Sequence, residues 1–346
     1  MLNVDNERKR TYVSIYVLIA LCLIIMIISL SKGEYILSFQ DIGRSIFRYH
    51  PDANTDLVIF EFRLPRIILA IFVGFGLGIA GSILQSITKN GLADPGILGI
   101  NSGAGAAIVA YMFFFQGVLN LNLNKDSLWI VLSMQLIGLV GGFIAAFVIF
   151  LLAKDRERLN SQKLILTGIA INSGFGSLAM YMSLKMKAQD FEMAAVWLTG
   201  SIYNANWLFI LAMLPWFLLI IPFIIRKAYS LDLFQLQETV MIGLGVKVEK
   251  EKWLLLLCAV GMIGACVSVS GSIGFIGLMS PHMARLLVGL KHRNSMIVCG
   301  LIGSLFMLIA DFIGRTIVAP AEISAGIILS IIGAPYFVYL LVKAKV

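Results

Sequence analysis

Apolar residues in this chain run in long blocks rather than alternating with polar ones, and short polar intervals separate the blocks. A helix crosses the roughly 30 Å hydrocarbon core in about 20 residues, because each residue rises about 1.5 Å. Blocks of that order lie near residues 12–30, 67–87, 97–118, 128–153, 164–184, 207–225, 253–269, 273–290, 295–313 and 323–342. Each predicts a membrane-spanning helix, about ten in all. The seventh and eighth come from one hydrophobic run cut at Ser270-Gly271-Ser272, which leaves both short. The first block follows Arg8-Lys9-Arg10 but is too long for a signal-peptide core, and Ser29-Leu30-Ser31-Lys32-Gly33 is a poor cleavage site. It reads as an uncleaved anchor, with residues 1–11 as a cytoplasmic tail and 12–346 as one transmembrane domain.

Composition sharpens this picture. Of 346 residues, 59% are apolar and 13% charged, whereas an average soluble domain is about 25% charged; the mean hydropathy is +0.93. A soluble enzyme is excluded, and the fold class is an all-α polytopic membrane protein. GxxxG spacing at Gly74 and Gly78, Gly99 and Gly103, and Gly138 and Gly142 predicts closely packed helices. With the amino terminus inside, 17 of the 27 Lys and Arg residues fall in inner segments, nine in outer ones, and Arg285 within a span. This bias satisfies the positive-inside rule and brings the carboxyl terminus back inside. The net charge of +8 therefore reflects topology and calls for no nucleic acid. Cys22, Cys258, Cys266 and Cys299 form no CxxC pair, the three histidines are scattered, and no HExxH occurs. Metal-centred or disulfide chemistry has no support in the sequence.

Charges at span ends carry more information, because a Lys, Arg or Asp in mid-membrane costs roughly 2.5–3.5 kcal/mol. Asp311 and Arg315 stand four apart on one helix face near the outer end of the ninth span, and Glu322 opens the tenth. They read either as a local ion pair or with Arg315 facing outward as a docking cation. Arg63 and Arg66 begin the second span on the same side, flanking Leu64-Pro65, where a proline suits the first turn of a helix. Arginine grips carboxylates through paired hydrogen bonds, so an acidic partner is one reading of this trio. On the inner side the loop at about 227–252 mixes apolar and polar residues in short amphipathic stretches. These suit either a membrane surface or a groove in a cytoplasmic partner. The chain contains no Gly-Lys dipeptide and hence no Walker A loop; if ATP drives it, another chain binds the nucleotide.

Several strings together resemble one family. Arg63-Leu64-Pro65-Arg66, the run Asn90-Gly91-Leu92-Ala93-Asp94-Pro95-Gly96, the run Gly274-Phe275-Ile276-Gly277-Leu278-Met279-Ser280-Pro281-His282, Pro320-Ala321-Glu322 and Gly333-Ala334-Pro335-Tyr336-Phe337 are similar to the FecCD permeases. These are membrane subunits of ABC importers for ferric siderophores, haem and cobalamin. The resemblance implies type II ABC importer architecture in a bacterial cell membrane, with about ten helices in each of two permease subunits, same or sister. It also implies two cytoplasmic ATPase subunits holding ATP and Mg, an extracytoplasmic solute-binding protein, and no cofactor in this chain. It assigns docking of the binding protein to Arg63, Arg66 and Arg315. It assigns ATPase coupling to Leu236, Glu238, Gly243 and Gly245, within a segment similar to the family's LGExxAxxLG pattern, in which Gln237 and Met241 replace small residues. The cytoplasmic gate falls to Asn90, Leu92, Ser161 and Gln162, with Gly91 where the family has proline. Trp197-Leu198-Thr199-Gly200-Ser201 resembles a segment with a structural role.

The expected function is iron import, most often ferric-siderophore uptake in this family, by a permease that is not itself an enzyme. The alternative from another class is an ion-coupled secondary transporter in which Asp311 carries the proton or cation.

Overall fold

Fifteen α-helices make up almost all of the computed structural model, which describes residues 2–33, 35–49, 52–96, 99–119, 128–155, 158–159 and 161–343. The long first helix, α1 (Leu2–Ser31), continues through the stretch expected as a tail. The segment after it, expected on the outer side, holds α2 (Phe39–Ile46), α3 (Ala53–Leu57) and a π-helical turn, Val58–Arg63. The turn runs directly into α4 (Leu64–Thr88), then α5 (Ile100–Leu119), α6 (Leu128–Ala153) and α7 (Ser161–Leu184). Beyond these come α8 (Ala188–Leu198), α9 (Trp207–Arg226), and two short helices, α10 (Ala228–Leu233) and α11 (Glu238–Gly243). Four more close the chain: α12 (Val248–Ser270), α13 (Ile276–Val288), α14 (His292–Thr316) and α15 (Ala325–Lys343). A two-residue antiparallel ladder, Lys154–Asp155 with Arg158–Leu159, is the only pairing of strands among the described residues.

Among the described residues, eight helices are long and apolar enough to span a membrane, and they coincide with eight of the ten expected blocks. The other two blocks are α5, whose apolar part is shorter, and α13, only 13 residues long. Local chemistry explains the boundaries. Pro65 occupies the first turn of α4, where a missing N–H costs no hydrogen bond. Lys89, in the left-handed region at φ 50°, ends that helix by donating its amide to Gln85 and Ser86. Ser38 and Asp41 form a reciprocal capping box on α2, and Asp52 caps α3.

Two helices lie at the centre, α4 and α12, each with 78% of its apolar stretch buried. α4 packs against α14 with almost no side chain between them. A Cβ on Gly74 would stand 2.2 Å from the Gly303 carbonyl oxygen, and one on Gly303 would stand 2.1 Å from that of Gly74. One turn further along α4, Cys299 Sγ donates to the Gly78 carbonyl at 3.1 Å. The spacing seen at Gly74 and Gly78 thus serves close packing, as expected of small residues in membrane helices. On the opposite side, Gly103 of α5 and Gly141 of α6 meet in the same manner.

The cut in the seventh hydrophobic run falls as expected. α12 stops at Gly271, φ 68°, where an added Cβ would lie 1.9 Å from the Trp197 carbonyl oxygen. An irregular stretch leads to α13, and the end of α8 fills the break. Gly200 accepts a hydrogen bond from the Gly326 amide at 2.9 Å, tying the Trp197–Ser201 segment to the start of α15.

Candidate functional site

The three arginines expected on the outer side come together where α4 begins and α14 ends, but each is engaged with its own chain. Arg63, only 5% exposed, donates to the carbonyls of Leu30 and Tyr35 and so fastens the end of α1 to the π-helical turn. Arg66 donates Nε to Asp311 Oδ1 at 2.8 Å, and its two terminal nitrogens bind Glu322 at 3.1 and 2.8 Å. This planar grip uses the guanidinium fork as lysine could not. Arg315 donates to both the carbonyl and the hydroxyl of Ser29 at 2.8 Å. The local Asp311–Arg315 pair read from their spacing is therefore not the bond that forms. Asp311, 2% exposed, pairs instead with Arg66 across the α4–α14 contact. Close approach of the two backbones, which places Arg66 and Asp311 at the same height, explains the choice. Three cations against two carboxylates leave the cluster positive.

The loop at about 227–252, expected on the inner side, is held from three directions. α10 buries Leu231, Phe234 follows it into the core, and α11 buries Met241. Lys89, at the end of α4, donates Nζ to the Leu236 carbonyl at 2.5 Å. Lys252 of α12, its side chain 9% exposed, donates to Glu238 at 3.0 Å and Glu249 at 3.4 Å. Glu238 thus orients the loop on the permease itself. Met241, one of the departures from the family pattern, is wholly buried, so its bulk is absorbed by this chain's core. Val240, Ile242 and Leu244 point outward at 47%, 62% and 62% exposure, and no heavy atom lies within 4 Å of where a Cβ on Gly243 or Gly245 would stand. The sequence places these three apolar residues in the amphipathic stretch of the loop without separating them from Met241, and the structure leaves them exposed while Met241 is buried.

Of the four gate residues, Asn90 and Leu92 share one turn, in which Asn90 Oδ1 accepts the Leu92 amide at 2.9 Å. The side chains of Ser161 and Gln162 lie outside the described residues.

Another region stands out by its exposure. α7 provides the least hydropathic of the eight candidate spans, at 1.4, and the least buried, with 17% of its apolar stretch covered. Asn172, Ser173, Gly174, Gly176 and Ser177 all lie exposed in its middle. An exposed amide in hydrocarbon is costly, so this face calls for water or another protein surface rather than lipid. The short α8 packs beside it, with Ala194 against Ala106, Val109 and Ala179.

Comparison with known proteins decides the family, because residues 21–343 match the FecCD transport family. The chain belongs to that family. The FecCD chain is 48% identical over 327 residues to the iron-uptake system permease protein FeuC of Bacillus subtilis, covering 94% of this chain and 96% of the relative. It is 32% identical to the hemin transport system permease protein HmuU of Yersinia pestis, covering 98% of each. A solved metal-chelate type ABC transporter in an inward-facing conformation superposes with a TM-score of 0.79 at 31% identity, over 95% of this chain and 98% of that one. This FecCD protein is therefore a multi-pass membrane permease of the ABC importer class, working within an ABC transporter assembly.

Proposed function

We propose that the chain is the permease of an ATP-driven importer of ferric siderophores in a bacterial cell membrane, with both termini in the cytoplasm. The iron-uptake relative, matched along nearly the whole of both chains, is the observation that carries the cargo. The exposed polar face of α7 supports a path shared with a second permease, same or sister, through which an uncharged lining passes a bulky chelate without tight capture. An acidic solute-binding protein docks on the positive outer cluster of Arg63, Arg66 and Arg315. Those arginines must yield a hydrogen bond or share one, since each already has partners within the chain. Two ATPase subunits, holding ATP and Mg, seat the outward apolar residues of α11, while Leu236, Glu238, Gly243 and Gly245 fix the shape of that loop. Asn90 and Leu92, with Ser161 and Gln162, close the inner end of the path.

Uptake of labelled ferric siderophores, haem and cobalamin by a strain lacking the gene, with and without a restored copy, tests this reading. Restored uptake of a ferric siderophore alone is expected. Restoration of haem or cobalamin uptake instead would replace the cargo. Accumulation by the lone reconstituted chain under a pH or sodium gradient would refute the importer.

A further inference from the structure

The contacts between α4 and α14 keep one antiparallel register across the whole membrane. Arg66 meets Asp311 at the outer end, Gly74 meets Gly303, Gly78 meets Cys299, and Ser86 meets His292 at the inner end. Arg66 and Ser86 stand about 30 Å apart along α4 at 1.5 Å per residue, the thickness of the hydrocarbon core. Between the two polar joints the backbones touch directly at Gly74 and Gly303, so no flexible side-chain layer is available there to absorb a sliding motion.

The inner joint extends to the loop expected to meet the ATPase. His292 Nδ1 donates to Asp232 Oδ1 at 2.8 Å, and the same carboxylate oxygen accepts the His292 backbone amide at 2.7 Å. Asp232 of α10 thereby caps α14 from outside that helix, where a carboxylate is favoured by the helix dipole. The opposite ring nitrogen, Nε2, lies 2.6 Å from Ser86 Oγ on α4. Gln235, in the same loop, donates to the Leu290 carbonyl at 2.9 Å just before α14. One imidazole, 5% exposed, therefore connects α10, α4 and α14.

We propose that α4 and α14 form a rigid transmembrane strut, and that the Asp232–His292–Ser86 joint fastens it to the inner loop. Movement of the loop with the nucleotide state of the ATPase then reaches the outer arginine cluster as a shift of both helices together. Ser86, His292 and Asp232 are positioning residues that touch neither cargo nor nucleotide. The proposal rests on the docking and coupling assigned above. A coupling of this kind is reciprocal, so nucleotide changes binding-protein affinity by the same factor as the binding protein changes nucleotide affinity.

The test uses the full transporter in nanodiscs, measuring the Kd of the binding protein without nucleotide and with a trapped ATP analogue. The wild type is expected to show a ratio between the two states in the range of about 5–150-fold. Ser86→Ala and His292→Gln should bring that ratio toward one while basal ATP hydrolysis persists, and Ser86→Thr, which keeps the hydroxyl, should restore it. Ser86→Ala removes a single oxygen atom and guards against a misfolded His292 variant, with thermal melting checked for each. A wild-type ratio retained in both variants overturns the strut. A wild-type complex that does not bind the binding protein overturns the docking reading and the strut with it, a result distinct from bound but uncoupled variants.

Discussion

Gly74→Ala gives the most direct test of the α4–α14 contact. The new Cβ would lie 2.2 Å from the Gly303 carbonyl oxygen and 2.7 Å from Ser304 Cα, and both obstacles are backbone. Ordinary contact begins near 3.4 Å, so the helices must part by about 1 Å. Such overpacking costs about 1–3 kcal/mol, and the upper end applies because neither side can rotate away. Alanine's better helix propensity returns about 1 kcal/mol, leaving a net loss of about 2 kcal/mol. Separation also stretches the bond from Ser304 Oγ to the Ile71 carbonyl, now 2.9 Å. Thermal and denaturant unfolding in detergent micelles measure the loss, and siderophore uptake reports its consequence. Gly43→Ala on α2 is the control, since nothing lies within 4 Å of a Cβ there. It should be neutral or slightly stabilising. If Gly74→Ala were as stable as Gly43→Ala, the direct backbone contact would be refuted.

Other substitutions separate the roles of the charges. Arg66→Ala leaves the buried Asp311 carboxylate without its ion pair and should cost about 3–5 kcal/mol in unfolding measurements; Glu322→Gln, at the more exposed partner, should cost clearly less. Lys252→Met frees Glu238 and should weaken copurification of the ATPase while leaving binding-protein affinity without nucleotide unchanged, as a pull-down and a titration would show. Lys291, between α13 and α14, has its ammonium held above the ordinary lysine range, first by its hydrogen bond to Glu7 and then by that carboxylate's charge. The link is therefore present below the usual lysine pKa of about 10.4 and lost as pH rises through the raised value. Because both partners are open to solvent, Glu7→Gln should leave the melting temperature unchanged at pH 7.

The spans were legible because hydrocarbon leaves a one-dimensional signature: a run of about 20 apolar residues needs no knowledge of its neighbours. Even the short α13 could be placed from Ser270-Gly271-Ser272. The short α8 was not legible, since 11 residues that follow two lysines and end in the Trp-Leu of a Trp-Leu-Thr-Gly-Ser string resemble an outer loop. Its role depends on fitting the break after α12, which only the assembled bundle reveals. For the site, the sequence brought Arg63, Arg66, Arg315, Asp311 and Glu322 to one end of the molecule by topology. It could not choose partners among them, because Arg66 and Asp311 are 245 positions apart. The i, i+4 spacing favoured Arg315, whereas the Gly74–Gly303 contact favours Arg66. His292 passed as one of three scattered histidines for the same reason, with Asp232 and Ser86 far away in sequence.

The thinly covered α7 also bears on how such a chain fares inside a cell. A helix with an amide, two hydroxyls and two glycines facing outward has no comfortable resting place in a bilayer on its own. On the proposed pairing with a second permease, the subunit is finished only when that counterpart arrives, and its folded population follows mass action with it. With a sister chain as counterpart, overproducing this chain alone should yield material cleared by membrane proteases and matched synthesis of both should rescue it; with a second copy as counterpart, overproduction alone should give stable material. Supply of the counterpart, rather than the intrinsic stability of the lone subunit, would then set how many transporters the membrane holds.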